Sequence, residues 1–350
     1  MIKNAVFWIC LLLVDLGLHP ALAVDSIPAT SGFRGFFITG PGYFNIKSNL
    51  IVEGPPLLGD VGNTRIDSIF APPKSQSAAA YIPLVGEINY TFAGTGTQVF
   101  LGNRLEDVLR LDLAFGVGVR QSLGNGGIFA ASVLATPLEL EVWSDPYVEG
   151  ADRTPTEVNR PGFRLRWGRI LNTGLELTLT TRDYRHDAEN SGDWLIAQGR
   201  LDPADQPLLS REGEVWRAQA LYRLDTENKR HRFEPAIRYN KDNHDGAAMS
   251  NQGKTLKLTY LYMTPKVVLD ANFVIGSREA DAVHPVYGQT LDWDRYGVGL
   301  TAFIPVKLGD KNRWRVFVGA EFFHEDANID FFDTQVASIL AGVLWRYNRP

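Results

Sequence analysis

Cysteine occurs once in the chain, at Cys10, inside an apolar N-terminal segment. It lacks the small-residue context of a lipoprotein acylation site. Removal of that segment leaves no disulfide, thiolate metal site or cysteine nucleophile. Beyond the segment no apolar run approaches the roughly 18 residues a spanning helix needs. Basic charge is not in excess either: Lys+Arg 35 against Asp+Glu 40 gives a net charge of -5, which speaks against a nucleic-acid partner. The motifs Gly-x-Ser-x-Gly, His-Glu-x-x-His and Gly-x-x-x-x-Gly-Lys are absent, and the sequence gives no reason to expect catalysis, a metal or a cofactor. His324, near Glu321 and Glu325, lacks the matched serine that an outer-leaflet lipid-processing site would need.

The N-terminus opens with Lys3, runs apolar from Ala5 to Leu18 around a single Asp15, and ends in Ala21-Leu22-Ala23. That is the pattern of a cleaved secretory signal peptide over residues 1–23, leaving residues 24–350 as the mature chain.

The mature chain is dominated by alternation. In Leu109 to Gln121, Leu109, Leu111, Leu113, Phe115, Val117 and Val119 are apolar, and Arg110, Asp112, Ala114, Gly116, Gly118 and Arg120 between them are polar or small. Successive side chains of a strand point to opposite faces, so the stretch has one apolar and one polar face. The pattern recurs along nearly the whole chain with Arg, Asp or Glu on many polar faces, as in a transmembrane β-barrel with lipid outside and water inside.

About fourteen strands are predicted, an even number as single-chain bacterial barrels require. They cover residues 32–52, 84–93, 98–103, 109–121, 127–143, 162–171, 174–185, 214–224, 231–241, 254–264, 267–278, 293–305, 314–324 and 336–347. Short turns near 94, 122, 172, 225, 265 and 306 alternate with connections near 53, 103, 144, 186, 242, 279 and 326. All but one of the second set read as long loops, and the exception, Arg104 to Val108, leaves the strand count around residues 98–108 open. The expected architecture is therefore all-β: a single antiparallel transmembrane barrel with short periplasmic turns and long extracellular loops, in the outer membrane of a Gram-negative bacterium. Phe92, Trp167, Tyr222, Phe233, Tyr262, Trp314 and Tyr347 fall near one end of their strands and Trp216, Tyr239 and Tyr296 near the other, as two interfacial girdles do.

Strand parity places Arg110, Arg120, Arg164, Arg166, Arg217, Arg223, Arg238 and Arg315 on the inner face with Asp112, Glu176 and Glu321, so the interior is mildly basic in an acidic protein. These charges have two readings. Paired across strands, they hold the inner wall together; left open, they line a path for small hydrophilic, anionic solutes. Gly116, Gly118, Gly297 and Gly299 on the inner face either make room for large neighbours or leave lumen open. The loops 53–80 and 186–213 carry apolar residues that either fold inward over the mouth or pack on the rim. Acidic loop residues such as Asp187, Glu189, Asp193, Asp202 and Asp205 read as solvated surface or as cation-bridged contacts to lipopolysaccharide.

Gly32-Phe33-Arg34-Gly35 with Asn45-Ile46-Lys47-Ser48-Asn49, Leu101-Gly102-Asn103-Arg104-Leu105-Glu106-Asp107, Gly118-Val119-Arg120-Gln121 and Glu141-Val142-Trp143-Ser144-Asp145-Pro146-Tyr147 resemble an uncharacterised gammaproteobacterial family, domain of unknown function 2860. The resemblance implies an outer-membrane barrel and transfers no active site. The chain lacks the hatch of fatty-acid transporters, the plug of siderophore receptors and the passenger of autotransporters. The terminal Gly342-Val343-Leu344-Trp345-Arg346-Tyr347 resembles the signal read by the barrel-assembly machinery. Expected partners are outer-membrane lipids and lipopolysaccharide, that machinery during biogenesis, and a small hydrophilic solute. The function expected is a passive pore for small hydrophilic, anionic solutes, or else a closed structural or adhesive barrel presenting its loops to a partner, with an outer-membrane lipid-processing enzyme a distant third.

Overall fold

The computed structural model describes residues 26–52, 62–103, 115–135, 140–307 and 314–349. Residues 1–23, expected to be a signal peptide, and the alternating residues 109–114 lie outside them. Fourteen strands close into one antiparallel barrel. They are β1 (Gly32–Lys47), β2 (Ser75–Phe92), β3 (Thr97–Gly102), β4 (Phe115–Ser122), β5 (Ile128–Ala135), β6 (Gly162–Gly168) and β7 (Leu175–His186), followed by β8 (Gly213–Tyr222), β9 (His231–His244), β10 (Asn251–Met263), β11 (Val268–His284), β12 (Gln289–Val306), β13 (Trp314–Ala327) and β14 (Thr334–Arg349). Each strand pairs with the next, and β1 closes on β14 from Phe33↔Arg349 to Lys47↔Gln335. Closure of this kind pairs the strands of a sheet surrounded by lipid with one another all round the barrel.

The alternation sorts the side chains as the sequence reading expects. On β12, Tyr296, Val298 and Leu300 are exposed outward while Arg295 and Thr301 are buried inward. Outward Phe92, Trp167, Tyr222 and Phe233 border the apolar belt at the end with the short turns, and Trp216, Tyr239 and Tyr296 at the other. We call these the turn end and the loop end. No helix among the described residues is long and apolar enough to cross a membrane.

Five boundaries differ from expectation. The stretch 127–143 is two elements: β5 stops at Ala135, and Leu140–Trp143 pairs with Pro155–Asn159 as a separate rim hairpin. Strand β2 starts at Ser75, inside the expected loop 53–80. Strands β11 and β12 run to 17 and 18 residues, so the loop expected near 279 shrinks to residues 285–288 and those near 242 and 326 to 245–250 and 328–333. These strand ends read as loop because acids such as Glu279, Asp292 and Asp294 face outward there, beyond the apolar belt. The two-residue turn expected at Asn172-Thr173 is a wider connection in which Arg169, Leu171 and Asn172 adopt positive φ. Lastly, the loop 187–212 contains a short helix, α1 (Asp193–Ala197).

The barrel interior is two-sided. On β1, β2 and β11–β14, Ile38, Phe44, Ile82, Val274, Phe303, Phe317, Phe323, Leu340 and Leu344 form one apolar cluster. The inward faces of β3–β10 carry most of the arginines and acids.

Candidate functional site

Most of the predicted inner-face charges point inward and are engaged. Arg120 on β4 grips Glu87 on β2 with Nη1–Oε1 at 2.8 Å and Nη2–Oε2 at 2.5 Å, and donates to Gln98 Oε1 at 2.6 Å. Its guanidinium lies 4.0 Å from the Phe100 ring centroid. Phe100 fits there because residue 118 is glycine: a Cβ would meet the Phe100 ring at 2.6 Å, so this inner glycine makes room for a large neighbour.

Toward the turn end a ladder runs across β6–β9. Arg166 binds Glu176 at 2.7 Å, and Arg223 reaches Glu176 at 2.9 Å and Glu234 at 3.1 Å. Arg232 lies 2.7 Å from Asp225 and 3.8 Å from Glu234. Near the loop end Glu325 binds both Arg278 and, at 2.8 Å, Arg295. Arg164 donates to Thr180 at 3.3 Å and Arg238 to Gln219 at 2.7 Å. Glu321 is buried on the inner face, close to Gly299. Pairing across neighbouring strands thus holds for Arg166, Arg223 and Glu176, while Arg120 reaches past β3 to pair with Glu87. Arg110 and Asp112 lie outside the described residues.

Glu176, Glu234 and Glu325 are each shared by two arginines. Other inward cations have no acid partner among the described residues. Arg217 on β8, Arg315 on β13 and Arg346 on β14 make no hydrogen bond or ion pair with any described residue. Arg346 escaped the list of inner-face candidates although its alternation with Leu344 carries the signal. Arg278, the last residue of the expected strand 267–278, was not singled out although its parity is inward, and Glu325 was missed because it lies one residue beyond the expected strand 314–324. Glu141, within the stretch expected as the barrel strand 127–143, sits instead opposite Glu157 in the rim hairpin.

The loop end is capped from inside. Leu50, Ile66 and Ile69 of the first loop, Tyr147 in the connection of the rim hairpin, and Leu195, Leu201 and Leu209 around α1 pack on the inward faces of Ala280, Leu291, Trp293 and Ala327, together with Phe331 and Phe332. The loops therefore fold inward over the mouth, the first of the two alternatives. Asp145 accepts hydrogen bonds from the backbone N–H of Tyr147, Gly192 and Trp194 at 3.0, 3.2 and 2.9 Å. Burial still leaves its carboxyl above the usual range. Arg153 donates to the carbonyls of Asn49 at 2.6 Å and Pro146 at 3.3 Å, and to that of Asn63, with its guanidinium 4.3 Å from the Trp143 centroid.

His284 is enclosed in the same cap. Its Nδ1 accepts from Val286 N–H at 3.3 Å, so Nε2 carries the hydrogen and donates to Tyr147 Oη at 3.0 Å. Burial pushes its pKa down to about 3. His186 is driven to about 2, by burial first and then by Arg211 and His244. His324 faces outward, 3.8 Å from Asp326. Among the described residues no group of three or more His, Cys, Asp or Glu side chains is placed to hold a metal ion.

The chain was compared with known proteins. A family profile described as a protein of unknown function, DUF2860, matches residues 32–346. No curated protein matches. Solved structures with the same kind of fold include an anion-selective porin from Comamonas acidovorans at 9% identity, covering 91% of this chain and 100% of that one with a TM-score of 0.40. The outer membrane channel DcaP of Acinetobacter baumannii has 9% identity, 92% and 99% coverage and a TM-score of 0.42. OprD from Pseudomonas aeruginosa has 11% identity, 95% and 99% coverage and a TM-score of 0.35.

Proposed function

Because the chain belongs to the DUF2860 family, whose description assigns no activity, we propose a function from the geometry: a passive outer-membrane pore for small hydrophilic anions. The loop end faces the exterior, the turn end the periplasm, and lipid with lipopolysaccharide surrounds the apolar belt. One observation carries the reading. A barrel whose interior charges serve only to brace its wall neutralises them, whereas here Arg217, Arg315 and Arg346 face inward with no acid partner among the described residues. Unopposed cations in a confined, low-dielectric passage raise the local concentration of anions and repel cations. The reading assigns no catalysis, cofactor or metal.

The inward cap supports a second reading, a closed barrel that displays its loops to a partner. The apolar packing around Phe331 and Tyr147, ring centroids 5.6 Å apart, has the construction of a stable lid. Single-channel current through the refolded protein under a salt gradient separates the two. Steady, anion-preferring conductance whose preference falls in Arg217→Ala supports the pore. Silence from folded protein, or cation preference, refutes it.

A further inference from the structure

We propose that the turn end of the barrel holds a binding site for an amphipathic organic anion, a carboxylate bearing an apolar tail, built on Arg315 and Arg346. The site deepens the pore reading by naming the class of solute, and rests on it for its place in transport.

Arg315 on β13 stands opposite Leu344 on β14, and Arg346 follows two residues later on the same inward face. Such diagonal neighbours on one sheet face have backbones about 7–8 Å apart, well within reach of two arginine side chains. The two charges act on each other, and no acid is among the groups that act on either. Glu87 on β2 stands opposite Phe36 of β1, which stands opposite Arg346, but Arg120 takes both its oxygens. On β13 the next inward acid is Glu321, beyond Phe317 and Gly319. The neighbouring inward charge on β1 is a third cation, Arg34, held by Thr30 at 2.7 Å and Thr91 at 3.2 Å. Elsewhere this wall puts a carboxylate between its arginines, as at Glu176, Glu234 and Glu325. Side-by-side like charges destabilise a sheet, and among the described residues nothing supplies this patch with an anion.

The apolar surroundings decide which anion fits. Phe317 and Leu344, the inward neighbours of the two arginines, belong to the large apolar cluster, and Phe36, Val85 and Met263 form its partly exposed edge. An inorganic anion would neutralise the guanidiniums and leave that edge wet. A carboxylate matches the planar guanidinium fork, and an attached apolar tail covers the edge as well.

The test uses calorimetric titration of the refolded full barrel with hexanoate and with acetate, which carry the same charge and differ only in the tail. Hexanoate binds saturably and about tenfold tighter than acetate, as expected if roughly two methylenes leave water. The Arg315→Gln/Arg346→Gln variant loses hexanoate affinity by about tenfold or more, the scale of one charge-assisted bidentate contact. Arg346→Lys, which keeps the charge, retains the preference for hexanoate and serves if the double variant does not fold. Equal affinity for the two anions, or hexanoate binding unchanged in the double variant, overturns the site. Current recorded from the same preparation keeps the two readings apart. Binding without conductance refutes the pore alone, and anion-selective conductance without hexanoate preference refutes the site alone.

Discussion

Acid should loosen the cap through His284. Its imidazole is neutral in the closed cap, with Nδ1 occupied by Val286 N–H and Nε2–H given to Tyr147. A second proton breaks the Val286 contact and places a charge among Tyr287, Phe332 and Tyr147, whose ring centroids lie 4.8, 5.4 and 5.8 Å away. Tyr147 and Tyr287 are themselves pushed upward by burial and stay neutral. No charged group enters the environment of His284, so burial alone holds its pKa near about 3. In an opened cap the imidazole returns to about 6.5. The open form then binds more protons below that value, and closure weakens as pH falls from about 6.5 toward about 3. At pH 5 the difference amounts to about 2 kcal/mol, reduced by at most about 1 kcal/mol through cation–π contact with the three rings. The readout is hydrogen exchange, corrected for intrinsic rate, at the amides of Tyr287 and Gly288, which donate to the His284 carbonyl at 3.2 and 2.8 Å. Protection falls by roughly fivefold to thirtyfold between pH 7.5 and pH 5 in the wild type, and by much less in His284→Gln. An equal fall in both proteins refutes the argument, because His186 and His244 titrate alike in each.

Leu300→Arg tests the lipid face: Leu300 is 56% exposed, outward between Tyr296 and the turn end, and an arginine there costs roughly 2 to 4 kcal/mol if it sits near mid-bilayer. Unchanged stability in lipid vesicles would invert the parity assignment. Glu87→Gln strands Arg120 and removes its charged partner, so denaturant titration should show a loss of about 3 to 5 kcal/mol; a loss under 1 kcal/mol would mean water already screens the pair. Arg153→Met keeps much of the stacking surface on Trp143 but orphans the carbonyls of Asn49, Asn63 and Pro146. Proteolysis within the cap should accelerate, reflecting about 2 to 4 kcal/mol of local destabilisation, while the barrel stays intact.

Strand number and facing were legible because each barrel strand repeats the same two-residue code, and a one-residue error would turn Leu300 inward and Thr301 into lipid. Strand length was not legible at the loop end. Beyond the apolar belt both faces of a strand meet polar surroundings, so Glu279, Asp292 and Asp294 look like loop although the ladder continues through Glu279↔Asp292. The sequence also could not separate β5 from the rim hairpin, because nothing in the alternation of Leu140–Trp143 shows that its partner is Pro155–Asn159 and not the barrel wall. Pairings are non-local facts. Parity identified Arg166, Glu176 and Arg223 as inward, but only the register brings Arg166 and Arg223 to the same carboxylate.

That register also explains why the arginines divide into two kinds. Where two arginines flank a strand bearing an inward acid, as Arg166 and Arg223 flank Glu176, the charges close on one another and stiffen the wall. On β13, β14 and β1 at the turn end the inward positions between cations are Phe317, Leu344 and Phe36, which offer no counter-charge. A wall selected for stability alone has a simple remedy there, an acid at any of these positions or a neutral residue in place of one arginine. The arrangement keeps like charges beside apolar surface, at a cost to the folded state and with gain only when an anion arrives. Neutralising Arg346 should therefore leave the barrel at least as stable as before while weakening its hold on hexanoate, an opposition that a bracing role for the same arginine would not produce.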